Sequence, residues 1–149
     1  MPTTKTILVC DEDASVRRMV ARVLETAGYV AILSGTGSQA LNAVRDSHPD
    51  LLLLDLDLPG PEGWEVLDHI HKMHPELPII LITGWPNLSA QAAQRGIGHL
   101  MEKPLDLPVL LDVIQLLVSP RRNRQKRATE TAAESAFAAR LALAAATRR

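Results

Sequence analysis

Four short polar patches, each standing directly behind an apolar run, carry the chemistry this chain can offer. They are Asp11-Glu12-Asp13 after TILVC, Asp55 and Asp57 in LLLLDLDLPG, Thr83 after PIILI, and Lys103 after the short run 99–102. Three carboxylates brought into one cleft repel one another unless a cation lies among them, and hard oxygen ligands with positions left open to water suit Mg²⁺. A carboxylate is also a competent nucleophile toward phosphorus, giving an aspartyl phosphate. Transfer of a phosphoryl group needs its non-bridging oxygens neutralised. A metal ion, the Lys103 ammonium, and the Thr83 hydroxyl with nearby backbone N–H groups are suited to that task. The plainer alternative is that these acids solvate strand ends or cap helices, since a carboxylate in a first helical turn is favoured by the helix dipole. Capping accounts for one acid behind the first run more comfortably than for three.

The chemistry exists only if the four patches meet, which depends on the elements that carry them. Thr6 to Cys10 reads as a strand. From Ala14, the residues Val16, Met19, Val20, Val23, Leu24 and Ala27 form one stripe of an amphipathic helix, closed by Gly28. Tyr29 to Leu33 reads as a second strand, and a turn over 34–38 leads to a short helix burying Ala40, Leu41 and Val44. His48-Pro49-Asp50 breaks the chain. Leu51 to Leu54 shows no alternation, so this strand is covered on both faces, and Pro59-Gly60 turns the chain away just after the acids. Gly63 to Met73 predicts a helix with Trp64, Leu67, Ile70 and Met73 inward. Pro78 to Ile82 is a fourth, buried strand, Leu88 to Arg95 a weak helix, and His99 to Glu102 a fifth strand. Leu107 to Val118 is a last helix with Leu110, Val113, Ile114 and Leu117 on one face. Alternating strands and helices predict an α/β fold, a doubly wound five-stranded parallel sheet. The order 2-1-3-4-5 fits five strands and puts Asp55 at the carboxyl edge of a central strand, where such sheets bind ligands.

Composition sets the bounds. With 149 residues the chain holds one ordinary domain plus an appendage. Aromatic residues are 3%, too few for base-stacking nucleic-acid modules. No apolar run is long enough to cross a bilayer, and the N-terminus does not begin a signal peptide, so the expected location is cytoplasmic. The lone cysteine, Cys10, fits a reducing compartment and a buried thiol. The near-zero net charge hides a division: residues 1–118 carry 8 Lys and Arg against 15 Asp and Glu, whereas 119–149 carry 8 against 2. The boundary expected from this shift separates a domain over 1–118 from a basic, Ala-rich tail over 119–149.

Residues 5 to 118 resemble the receiver domain of two-component response regulators, through ILVCDEDASVRR, DLLLLDLDLPGPEGWEVL, LITG and EKP, in that order. The resemblance implies the flavodoxin-like receiver fold. It makes Asp55 the phosphoacceptor, Asp11 and Glu12 an acidic metal pair that with Asp55 and the Asp57 backbone carbonyl holds Mg²⁺, Thr83 the switch hydroxyl and Lys103 the phosphate-binding lysine. It implies a cis Lys103–Pro104 bond. The partners it implies are a histidine kinase or phosphotransfer protein upstream and a protein target downstream, with no direct DNA binding, no membrane association, and a monomer or weak dimer. The family is not enzymatic beyond Mg²⁺-dependent self-phosphorylation from small donors and self-dephosphorylation.

Two departures bear on the readout. The stretch from Thr83 to Gly96 is two residues shorter than the family's usual spacing, and Leu100 stands where a switch Tyr or Phe is common. These keep open a receiver-like binding module that needs no phosphate. Asp55-x-Asp57 with a later Thr and Lys also resembles the haloacid-dehalogenase phosphatases, but those place the DxD at the first strand and an acidic pair after the Lys, where this chain offers only Asp106 and Asp112.

His69, His71 and His74 lie near the polar end of a helix, where solvation is a simpler reading than metal binding, and His99 reads as structural. In the tail, Arg121, Arg122, Arg124, Lys126 and Arg127 read as a solvated linker. Thr131 and Glu134 form a capping-box pattern ahead of a helix carrying Phe137, Leu141 and Ala144 on one face. Its charge is suited to an acidic surface, whether this domain's or a partner's.

Overall fold

The computed structural model describes residues 4–59 and 62–119. The expectations for the basic tail, its linker and its capping-box helix lie outside the described residues. Strands β1 (Thr6–Cys10), β2 (Val30–Ser34), β3 (Leu51–Asp55), β4 (Ile79–Thr83) and β5 (Leu100–Glu102) form one parallel sheet in the order β2-β1-β3-β4-β5. They alternate with helices α1 (Ala14–Thr26), α2 (Gly37–Ser47), α3 (Glu62–Met73), α4 (Ser89–Gln94) and α5 (Leu107–Val118).

The unbroken apolar runs are explained by where alternate residues go. Leu8, Leu52, Leu54, Ile79 and Leu81 meet Ala40, Val44, Val66, Leu67, Ile70 and Ala92 of α2, α3 and α4 on one face. Ile7, Val9, Leu51, Leu53, Ile80 and Ile82 meet Val20 and Leu24 of α1 and Leu110 and Ile114 of α5 on the other. Each of these strand positions is buried whichever way it points. At roughly 1.5–3 kcal/mol per fully buried aliphatic side chain, the three central strands anchor the molecule.

Several boundaries fall a residue later than the sequence pattern predicts. β2 runs on through Ser34 and β4 through Thr83, because these polar residues stay in the ladder: the Ser34 carbonyl accepts from Asp11 N at 3.1 Å and the Thr83 carbonyl from Lys103 N at 2.7 Å. β4 starts at Ile79 because Pro78 has no N–H to donate, although its carbonyl accepts from Leu52 N. Met19 and Met73, expected inward, are 46% and 62% exposed. Met19 lies on the flank of α1, and Met73 is the last residue of α3, at the rim of a cavity facing the opposite edge of the sheet. Val66, absent from the predicted inward set, is buried instead.

Two glycines set helix ends, Gly28 away from the site and Gly63 beside it. Gly28, at φ 93°, ends α1 as expected. Gly63 lets α3 start against the backbone that follows Asp55: a Cβ there would lie 2.5 Å from the Leu56 carbonyl oxygen.

α4 has six residues and one buried side chain, Ala92. Its end is tied to α3 by Arg95, whose Nε lies 2.9 Å from Asp68 Oδ1 and whose guanidinium stacks 4.3 Å from the Trp64 ring centre.

Candidate phosphoacceptor site

The parallel ladder delivers all four polar patches to one edge. Asp11 N bonds to Ser34 O, Leu56 N to Ile82 O and Lys103 N to Thr83 O, so the first residues beyond β1, β3 and β5 are held in register. There Asp11, Asp55 and Thr83 are buried, at 3%, 3% and 0% exposure. Lys103 Nζ lies 3.0 Å from Asp55 Oδ2 and 3.6 Å from Asp11 Oδ2. The second oxygens are fixed by the backbone: Asp57 N donates to Asp55 Oδ1 and Asp13 N to Asp11 Oδ1, both at 2.8 Å. Asp11, Glu12, Asp13, Asp55, Asp57 and Lys103 together line an open cavity of about 420 Å³. The Lys103–Pro104 peptide is cis, as expected.

Burial and the neighbouring Asp11 carboxylate push the Asp55 carboxyl above its ordinary range, against the Asp57 N–H and Lys103, which favour the charged form. For Lys103, burial acts downward, but Asp55, with Asp11 and Asp57 behind it, prevails and raises the ammonium. Asp55 is therefore a carboxylate that desolvation makes expensive to ionise, beside a cation firmly held in its charged form. Removing water from an anion while keeping a counter-charge at 3.0 Å readies it for attack on a group that brings its own negative charge.

The three N-terminal acids divide into separate tasks. Asp13 is the N-cap of α1, its Oδ1 accepting from Ser15 N and Val16 N. Asp11 enters the site. Glu12 is exposed and reaches the cavity only at its rim. Among the described residues, no three His, Cys, Asp or Glu side chains form a ready-made metal set: Lys103 bridges the two buried acids while Glu12 stands in water. The histidines do not supply one either. His71 is half-buried with its Nδ1 lacking a hydrogen-bond partner, His74 lines the cavity at the other edge, and His99 is a ladder residue whose carbonyl accepts from Leu81 N.

Two contributors escaped the sequence reading. Arg17, one turn into α1, reaches back so that its Nη1 donates to Asp11 O at 2.6 Å and Glu12 O at 3.0 Å, clamping the acidic loop. Gly35 makes room for it, since a Cβ there would lie 2.8 Å from that nitrogen. The Asp57 side chain, expected to matter only through its backbone, accepts the Thr83 hydroxyl at 2.8 Å on Oδ1 and the Gly84 N–H on Oδ2. Thr83 thus sits at the site with its hydroxyl given to Asp57. No spacing rule signals either contact, because the first depends on how the Arg17 side chain folds back onto loop carbonyls and the second on side chains from different elements.

Cys10, at the end of β1, is buried with Sγ 3.6 Å from Thr36 O, and desolvation pushes its thiol up to about 11.

The chain matches the family model described as the response regulator receiver domain over residues 7–115. Among curated proteins it is similar to the DNA-binding transcriptional regulator NtrC of Escherichia coli (strain K12), 31% identical over 122 residues, covering 80% of this chain and 26% of that one. It is also similar to the nitrogen assimilation regulatory protein NtrX of Azorhizobium caulinodans, 32% identical, covering 80% and 27%. The chain thus spans about a quarter of the length of these curated relatives. Among solved structures it resembles a CheY-like receiver domain protein of Methanospirillum hungatei JF-1, with TM-score 0.73 and 28% identity over 84% of this chain and 98% of that one. The receiver domain of NtrX from Brucella abortus matches with TM-score 0.70 and 34% identity, covering 75% and 97%. With these matches the haloacid-dehalogenase resemblance falls away, and the chain belongs to the response regulator receiver domain family of two-component systems.

Proposed function

We propose that Asp55 accepts a phosphoryl group from a histidine kinase or phosphotransfer protein and that the modified domain signals by contact with a protein target. The observation that carries this reading is the buried Asp55 carboxylate, held at 3.0 Å by Lys103 and facing Asp11 across the same ammonium. One Asp55 oxygen attacks the phosphorus of a phosphohistidine. A P–O bond forms, the P–N bond breaks, and its electron pair returns to the imidazole nitrogen of the donor, which takes up a proton.

What supports Mg²⁺ is the chemistry of the donors: Asp11 and Asp55 offer hard oxygens in a cavity open to water, with Glu12 at its rim. Asp11, Glu12, Asp55 and the Asp57 backbone carbonyl would hold the ion, which supplies neutralisation of a non-bridging oxygen. Lys103 neutralises a second oxygen and Thr83 donates to a third. Residues 1–118 form the receiver, and 119–149 a basic tail that favours acidic surfaces. Small phosphodonors replace the kinase in self-phosphorylation, and water slowly removes the group. A cytoplasmic location and a monomer or weak dimer complete the reading. Among the described residues no helix is long and apolar enough to cross a membrane.

Intact-mass measurement after incubation with Mg²⁺ and acetyl phosphate tests the proposal. The expected result is one hydroxylamine-labile phosphoryl adduct on the wild type and none on Asp55→Asn. Rapid multiple turnover of a phosphate ester would replace this reading with a hydrolase. No adduct, with partner binding unchanged in Asp55→Asn, would replace it with a phosphate-independent binding module.

A further inference from the structure

The contact between Thr83 and Asp57 places a competitor inside the site. A threonine hydroxyl has one proton to give. Here it goes to Asp57 Oδ1 at 2.8 Å, while the hydroxyl oxygen accepts from Trp85 N at 3.0 Å. The other Asp57 oxygen takes the Gly84 N–H, and the carboxylate packs so close to Gly84 that a Cβ there would lie 3.2 Å from Oδ2. Asp57 and Thr83 therefore join the ends of β3 and β4 through a set of hydrogen bonds that includes a charge-assisted bond between side chains 26 residues apart in sequence. A phosphoryl oxygen on Asp55 can receive the Thr83 proton only after the hydroxyl leaves Asp57.

We propose that the Asp57 carboxylate is a positioning residue that holds the Thr83 hydroxyl in the unmodified state and opposes its transfer to a phosphoryl group on Asp55. The proposal rests on the phosphoacceptor reading above and adds a second role for Asp57, whose backbone carbonyl alone was expected to serve. A ligand shifts a two-state equilibrium only by its differential interaction with the two states, so a strong bond present only in the resting state sets what phosphorylation must overcome. The bond is to an ionised acceptor, the stronger kind, and its loss should be visible as about a tenfold change in affinity.

The test is a double-mutant cycle on the full chain, with beryllium fluoride and Mg²⁺ as the phosphoryl probe and affinity read by calorimetry. Asp57→Ala is expected to bind the probe about tenfold more tightly than the wild type, and the gain should vanish in a Thr83→Val background. An equal gain in both backgrounds would mean that Asp57 acts only through its charge on the probe, and would overturn the proposal. Weaker binding by Asp57→Ala with Thr83 present would do the same. Where Asp57→Ala does not fold, Asp57→Asn keeps the shape and weakens the acceptor. Without any probe, it should move the Thr83 methyl resonance part of the way toward its position in the probe-bound wild type, and an unmoved resonance counts against the proposal. If the wild type itself fails to bind the probe, the phosphoacceptor reading fails first and takes this inference with it, an outcome distinct from binding without coupling.

Discussion

The two flanks of the site are built to different standards. On one side, β1 and β3 carry Asp11 and Asp55 out of a sheet buried on both faces, and α3 packs so tightly that only glycine fits at 63. On the other, Lys103 follows a three-residue strand whose members are half-buried or exposed, and α4 has six residues with one buried side chain. The nucleophile is mounted on the rigid half and its counter-ion on the slight half. Packing density determines which parts of a fold resist displacement and which open at little free-energy cost. The contrast teaches that the chemistry is held by one half of the domain and that movement is expected in the other, over α4 and β5.

Mutations on the two flanks break or sharpen that contrast. The largest effect is expected in β3: Leu53→Ala should cost roughly 2–5 kcal/mol in urea unfolding, whereas Leu100→Ala in half-buried β5 should cost less than half as much. Equal losses would remove the asymmetry. Gly63→Ala should follow, at roughly 1–3 kcal/mol, because the added methyl meets backbone rather than a side chain that can swing aside.

Asp55→Asn should move stability the other way. Burial raises the Asp55 pKa in the folded state, so the folded chain holds this proton more tightly than the unfolded one. Stability from this group is present at low pH and is lost as pH rises from the ordinary carboxylate range through the raised value. Removing the charge should therefore stabilise the domain by roughly 0.5–2 kcal/mol at neutral pH, with Asp11 still paired to Lys103, and the gain should fade as pH falls toward about 4. Thermal melts across pH 4 to 8 check it, and a gain that grows on acidification would contradict the sign. The smallest effect is at the edge of the slight half. Arg95→Ala removes the half-exposed pair with Asp68 and the stack on Trp64, costing roughly 0.5–1 kcal/mol, and should speed amide exchange over 88–100 while leaving β3 unchanged.

What the sequence revealed and what it hid follow from the range of each interaction. Leu51 to Leu54 announced a doubly covered strand because burial of both faces leaves no polar alternation, and this placed Asp55 at the correct edge. Strand–helix alternation and the common doubly wound order put Asp11, Thr83 and Lys103 at the same edge as Asp55. Periodicity gives the direction of an apolar stripe but not its width, so Met19 and Met73 read as inward although both are exposed. Strand ends slipped by one because Ser34 and Thr83 are polar yet keep their ladder bonds. The grip of Arg17 on the acidic loop and the engagement of Thr83 by Asp57 depend on side-chain directions across elements, which no pattern along one segment encodes. Likewise Asp13 and Glu12 look alike in sequence, and only the geometry of the helix start makes one a cap and leaves the other at the rim.

The buried thiol of Cys10 has a practical consequence. It is the chain's one cysteine, it lies under the start of α2 one residue before Asp11, and its thiolate is scarce at neutral pH. A thiol-selective alkylating reagent therefore has a single target and reaches it only when β1 parts from its covering. The mass gained per minute becomes a clock for breathing of the rigid half, readable on the unmodified protein and comparable before and after phosphodonor is added.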